Sequence, residues 1–334
     1  MSDADPRFDE LRPWVSARLG ASDLTFQRAS EDASFRRYFR VIGNGRSWIV
    51  MDAPPQREDC RPFVHVARLM HGAGVHVPEI IAEDLQRGYL LLTDLGTKTY
   101  LAVLNDANAD ALFSDAIDAL VKWQLASRPD TLPPYDEALL RRELGLFPEW
   151  YLGRHLGIQL EAADESALET LFTGLVEASL MQPKVYVHRD YMPRNLMVSE
   201  PNPGVLDFQD AVYGPITYDV VSLFRDAFLS WPEARVLDWS ARYWERAKRA
   251  GVAVHRDFGD FYRAFEWMGL QRHLKVLGIF ARIHYRDGKP GYLEDTPRFL
   301  AYARVVAERY TELSGLVGLL DMIEKRAPRA AYTF

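Results

Sequence analysis

The chain has 334 residues, 48% of them hydrophobic and 26% charged, with a formal net charge of −7. This is enough apolar material for a bilobal domain or two domains with their own cores. The acidic balance gives no reason to expect nucleic acid or an anionic membrane as the main ligand, and the single cysteine, Cys60, excludes an intramolecular disulfide or a cysteine-based zinc site.

The polar, acidic start MSDADPRFDELRPW has no apolar core of signal-peptide type. The longest apolar runs, such as LLL at 90–92, fall far short of the ~20 residues that cross a bilayer. A soluble cytoplasmic protein without membrane insertion is expected, and no feature points to a protein partner.

Phe8, Leu11, Trp14, Val15 and Leu19 fall at helical spacing and predict a helix over 6–20. Three β-like runs follow at 24–30, 36–42 and 46–52. The tight GNG at 43–45 joins the last two as a hairpin, and Pro54 and Pro55 end the third. Helical spacing returns at 58–72 through Phe63, Val66, Leu69 and Met70, and GAG at 72–74 stops it. Two more strands are expected at 78–84 and 88–95.

After Gly96 the texture becomes helical, with helices expected at 108–127, 137–156 and 163–181, then at 233–250, 258–284 and 296–320. VYVH at 185–188 and GVLDF at 204–208 are short apolar runs between these groups. The expected organisation is α+β: a small β-rich N-terminal lobe at 1–93, a hinge at 94–97, and a larger, mostly helical lobe at 98–334. Ligands commonly bind in the cleft between two such parts.

HRDYMPRN at 188–195 and LDFQD at 206–210 carry the chemistry. Phosphoryl transfer needs magnesium to bridge phosphates, in-line positioning, and a carboxylate that orients or deprotonates the attacking hydroxyl. Magnesium takes oxygen ligands and often only one or two from the protein. Asp190 suits the base, with Asn195 and Asp207 as the metal ligands. Pro193 keeps the Asp190 turn out of a helix, and a hairpin turning near SEPNPG would return Asp207 to Asn195. Taken singly, each residue reads as a cap, a turn or a surface charge; the spacing of the three together points to the site. His188 is read as support for the loop. No Walker-type G-x-x-x-x-G-K-[ST], no G-x-G-x-x-G and no G-x-S-x-G is present, and His65 and His71 lack zinc-ligand spacing.

These two segments resemble the catalytic and metal loops of the aminoglycoside phosphotransferase/choline kinase group, which implies a bilobal protein-kinase-like fold. EDASFRRYFRV, SWIVMDAPPQREDCRPF, LLLTDLG and EWMGLQRHLKVLGIF further resemble the bacterial kinases that phosphorylate N-acetylmuramate and N-acetylglucosamine at C1 during peptidoglycan recycling. The resemblance implies ATP and Mg2+ as cofactors and a small amino-sugar substrate. It also implies that Ser34, Phe35, Arg36 and Arg37 cover the ATP phosphates, and that Thr93, Asp94 and Leu95 meet the adenine. Asp219 would brace the catalytic loop, and Asp210, beside the metal site, would contact the substrate or the solvated metal, with a surface role as the alternative.

One position departs from the kinase pattern. Where the third strand of most kinases carries a phosphate-binding Lys, this chain has Met51. Either Arg36 or Arg37 is expected to compensate, because a guanidinium donates paired hydrogen bonds to phosphate. Glu58 is the nearest candidate for the helix Glu that usually holds the Lys. At the acceptor end, Trp267, Arg272, His273 and Lys275, with Arg225 one helix earlier, mix an aromatic face and cations suited to a sugar and its carboxylate; core packing is the bland alternative for each. The other acceptors considered are an aminoglycoside, choline or homoserine. A nucleotide-binding pseudokinase acting as a partner-binding module is the alternative from another class, supported by Met51 alone.

Overall fold

Alternating side chains along 25–52 and 80–93 produce a five-stranded antiparallel sheet in the order β1-β2-β3-β5-β4. The computed structural model describes residues 5–30 and 35–326. It divides into two compact units, Met1–Trp123 with Arg194–Ala211, and Gln124–Pro193 with Val212–Phe334.

The first unit opens with α1 (Pro6–Leu19). Asp5 caps its start by accepting the Phe8 N–H at 3.1 Å, Pro6 takes the first turn, and Gly20 closes it at φ 61°. The strands β1 (Thr25–Ser30), β2 (Arg37–Gly43) and β3 (Arg46–Asp52) follow. Then come α2 (Arg61–Gly72), β4 (Ile80–Asp84) and β5 (Tyr89–Thr93). Helix α2 begins three residues later than its apolar spacing suggested, because Pro62 suits the first turn of a helix and not its interior.

One sheet face buries Val41, Val50, Tyr89 and Leu91 against Leu11, Trp14 and Val15 of α1, with Phe39 and Trp48 beside them. Strand alternation therefore turns Tyr38, Arg40, Ile49, Met51, Leu90 and Leu92 to the opposite face. The unit continues through α3 (Tyr100–Val103), which Thr99 caps, into α4 (Ala109–Leu125).

The second unit holds α5 (Glu137–Leu144), α6 (Ala162–Leu180) and β6 (Lys184–Val187). The chain then contributes β7 (Leu196–Met197) and β8 (Gly204–Val205) to the first unit. Backbone bonds stitch them there: Val198 N–H to the Lys98 carbonyl and Val205 N–H to the His76 carbonyl, each 2.8 Å. Back in the second unit, β9 (Val212–Pro215) pairs antiparallel with β6. It leads to α7 (Tyr218–Phe224), α8 (Glu233–Ala250), α9 (Phe258–Asp287), α10 (Thr296–Arg309) and α11 (Ser314–Arg326).

Two helices expected to be continuous are broken. The 137–156 segment ends its α-helix at Leu144 and re-forms as a wide π-type turn at Phe147–His155, because Pro148 has no N–H to give the helical ladder. The 296–320 segment leaves the helix at Tyr310, whose backbone is extended and whose hydroxyl donates to Glu266 at 2.6 Å. Strand β9 was not read from the sequence; it is four residues long. Among the described residues no helix is long and apolar enough to cross a membrane.

The long helix α9 approaches the 145–155 segment at Gly278. A Cβ there would lie 2.4 Å from the backbone of Leu146, whereas exposed Gly318 in α11 has nothing within 4 Å. Gly278→Ala is expected to destabilise by about 1–3 kcal/mol through overpacking. Gly318→Ala should stabilise by roughly 0.5–1 kcal/mol through helix propensity. Urea unfolding of both variants reads the opposite signs.

Candidate active site

In the second unit, β6 delivers the chain into the 188–193 loop. Asp219, fully buried near the start of α7, accepts the backbone N–H groups of His188 at 2.7 Å and Arg189 at 3.0 Å. Burial pushes its carboxyl up to about 7; the two backbone donors and Arg272 act against that, and Asp190 reinforces it. Asp190 itself is half-buried, and its N–H donates to His188 Nδ1 at 3.2 Å. This bond makes Nδ1 the acceptor and leaves Nε2 to carry the proton when the imidazole is neutral.

Arg189 sits at φ 76°, a left-handed conformation that disfavours side chains. Its guanidinium reaches Glu143 of α5 at 2.5 Å, and Lys275 of α9 reaches the same carboxylate at 2.8 Å. The Tyr135 hydroxyl also donates to Glu143, and Lys275 bonds the Tyr218 hydroxyl at 2.9 Å. Burial would raise the Glu143 pKa; Lys275 and Arg189 overcome it and hold the group at about 2. The buried carboxylate thus binds two cations, one of them on the residue just before Asp190.

The first unit contains a cavity of about 340 Å³ on the sheet face away from α1. Ile49, Leu92, Met197, Leu206 and Phe208 supply its apolar wall, and Phe63 packs at a tilt against Phe208 with 4.8 Å between ring centres. Thr93, Asp94, Leu95, Asn195 and Asp207 line the same cavity. The β7–β8 hairpin pairs Leu196 with Val205, and the Leu206 N–H bonds the Asn195 carbonyl at 2.9 Å. This register returns Asp207 to Asn195, whose amide nitrogen lies 3.4 Å from the Asp207 carboxylate. Asp207 is held at φ 64°, and Gln209 donates to its other oxygen at 3.0 Å.

An amide and a carboxylate facing one cavity form the oxygen-donor pair that magnesium accepts, with phosphate and water completing its shell. Among the described residues no group of three or more His, Cys, Asp or Glu is placed to hold a metal.

Arg40 locks the segment after β5 through a forked pair with Asp94 at 2.6 and 3.0 Å and a bond to the Gly96 carbonyl at 2.7 Å. Exposed Phe35 donates its N–H to Glu58 at 3.3 Å and carries Arg57 over its ring at 4.6 Å. Half-buried Arg36 lies 3.9 Å from the other Glu58 oxygen. Arg37 is bound by Asp5 and by the fully buried Asp52. Ser34 lies outside the described residues. Met51 is fully buried opposite Tyr38 in the β2–β3 register. Asp210 is exposed and takes the Gln209 amide at 3.4 Å.

Of the six residues expected near the acceptor, the structure buries Arg225, Trp267, Arg272, His273 and Lys275 and leaves Asp210 exposed. Arg225 pairs with Glu266 at 3.4 Å, and Trp267 packs edge-on against Tyr310 with Arg263 over its ring at 4.7 Å. His273 lies between Phe299 and Tyr302. Burial, then Arg225 and Arg272, push its pKa well below the usual value. Arg272 acts electrostatically on Asp219 and Asp226, and the Asp190 charge favours the protonated form of Lys275.

The Glu143 cluster was not found from the sequence, although a signal existed. Leu140, Leu144 and Phe147 form a buried helical stripe, and Glu143 falls on it. A carboxylate in such a stripe needs buried partners.

Residues 25–259 match the model of a family described as the phosphotransferase enzyme family, also known as APH. The chain belongs to this family. A phosphotransferase of Pseudomonas putida named N-acetylmuramate/N-acetylglucosamine kinase is 54% identical, over 98% of this chain and 99% of that protein. A protein of the same name from Neisseria meningitidis is 45% identical, over 97% and 98%. Among solved structures, a choline/ethanolamine kinase family protein from Mesorhizobium loti superposes with a TM-score of 0.63 at 15% identity, covering 95% of this chain and 99% of that one. An ADP-bound aminoglycoside phosphotransferase superposes at 0.60 with 13% identity, covering 89% and 98%. The fold is thus α+β and protein-kinase-like, with a five-stranded sheet in one part and helices dominating the other.

For this phosphotransferase, Glu143→Gln is expected to cost about 3–5 kcal/mol, because it leaves two buried cations without their counter-charge. Glu143 has a depressed folded pKa, so its contribution is present above the usual carboxyl value of 4.5 and is lost as pH falls toward about 2. Urea midpoints measured from pH 6 down to pH 3 should therefore fall more steeply for the wild type than for Glu143→Gln.

Proposed function

We propose that the chain is an ATP- and magnesium-dependent kinase for the anomeric C1 hydroxyl of N-acetylmuramate and N-acetylglucosamine, acting in the cytoplasm in cell-wall recycling. The observation that carries this reading is the near-full-length identity of 45–55% to relatives of that name. The residues fit the chemistry. Asp190 accepts the proton of the attacking hydroxyl, a role suited to a half-buried carboxylate on a braced loop. A hemiacetal hydroxyl is more acidic than a ring alcohol, which eases the demand on that base. Asn195 and Asp207 would hold magnesium, which would supply charge compensation for the transferring phosphate.

In this reading 1–93 is the nucleotide lobe, 94–97 the hinge and 98–334 the catalytic and acceptor lobe. The stretch at Phe35 and Arg36 covers the phosphates, whereas Arg37 is taken by Asp5 and Asp52, and the apolar wall of the cavity takes the adenine beside Thr93, Asp94 and Leu95. Asp210 lies on the metal side. The acceptor meets the helical part where Arg225, Trp267, Arg272, His273 and Lys275 line α7 and α9. Lys275 reaches Glu143, the carboxylate that also holds the guanidinium of Arg189 just before Asp190.

The test is transfer of labelled phosphate from ATP with magnesium to N-acetylmuramate, N-acetylglucosamine, kanamycin, choline and homoserine. Transfer to the two amino sugars is expected, with kcat reduced roughly 10²–10⁴-fold in Asp190→Asn. Transfer to kanamycin, choline or homoserine instead would overturn the acceptor assignment, and an undiminished Asp190→Asn rate would remove Asp190 from the chemistry.

A further inference from the structure

Three arginines stand near the start of β2, and strand geometry separates them. Arg37 belongs to the α1 face with Phe39 and Val41, where Asp52 and Asp5 occupy its guanidinium. Arg40 is on the cavity face and is spent on Asp94 and the Gly96 carbonyl. Arg36 lies one residue before β2, where the alternation of Tyr38 and Arg40 carried one step further would put it on the cavity face, and Tyr38 is the direct cross-strand neighbour of Met51. The charged neighbours of Arg36 match this placement. Burial acts to lower its pKa, but Tyr38, Glu58, Asp207 and Asp210 together raise it.

Resting on the kinase reading, we propose that Arg36, held by Glu58, is the phosphate-binding cation that replaces the strand lysine lost at Met51. Kinases of this type hold that lysine with a helix glutamate. Here Glu58, in the loop between β3 and α2, divides its carboxylate between the Phe35 N–H at 3.3 Å and the Arg36 guanidinium at 3.9 Å. It thereby fixes both the tip of the covering segment and its cation. From there a longer, forked side chain would serve the phosphates in place of a lysine on β3, while buried Met51 packs the strand. Arg36 also balances Asp207, so phosphate oxygens arriving with magnesium would meet one cation and one metal-holding carboxylate.

Calorimetric titration with two probes, Mg-ADP and adenosine, tests this, with thermal midpoints checking that each variant is folded. Arg36→Ala should weaken Mg-ADP roughly tenfold or more and change adenosine affinity less than about twofold. Arg36→Lys should fall between the two proteins. Glu58→Gln should weaken Mg-ADP in the wild type and have no further effect on an Arg36→Ala background, the signature of a coupled pair. Equal loss of ADP and adenosine affinity, or undiminished ADP affinity in folded Arg36→Ala, would overturn the proposal while leaving the kinase reading intact. Wild-type protein that binds neither probe would overturn both.

Discussion

The 188–193 loop depends on one carboxylate, that of Asp219. It accepts two consecutive backbone N–H groups, from His188 and Arg189, and no water reaches it to substitute. Removing it would leave two buried donors without an acceptor, so the turn at 188–190 has one satisfied arrangement. That arrangement requires Arg189 to adopt a left-handed backbone, and the Glu143–Lys275 cluster holds its side chain there. Glycine would suit the backbone better, but it would forgo the ion pair that ties the loop to α5 and α9. The residue presented next is Asp190.

The sheet of the first unit depends on strand parity. Its α1 face is a hydrophobic core, and its opposite face lines the cavity. The same alternation assigns Asp52 and Arg37 to the α1 face, where Arg7 joins them at 2.5 Å. A cluster that resembles a phosphate site by composition therefore serves to fasten α1 to the sheet. Arginines adjacent in sequence end with different work because a strand sends neighbours to opposite faces.

The fold was legible where the periodicity was clean. β3 at 46–52 and α8 at 233–250 match their sequence ranges, and GNG at 43–45 makes the expected hairpin, with Asn44 and Gly45 at positive φ. Helix breaks were less legible, because Pro148 and Tyr310 interrupt apolar patterns that run on through them. In the candidate site, the return of Asp207 to Asn195 could be read from the spacing of two loops around a short hairpin. The burial of Arg272, His273 and Lys275 could not, since a 30-residue helix surrounded on most sides shows no polar face to mark its inside. Glu143 was readable only as an anomaly, a charge on an apolar stripe whose partners lie far away in sequence.

The measurement that bears most directly on the central claim is the position of the phosphate in the product. Phosphorus–proton correlation NMR on N-acetylmuramate incubated with the protein, ATP and magnesium should show phosphorus coupled to the anomeric proton, with the signal growing far more slowly with Asp190→Asn. Coupling to a ring or C6 proton, or the absence of any sugar phosphate while nucleotide is bound, would contradict the account.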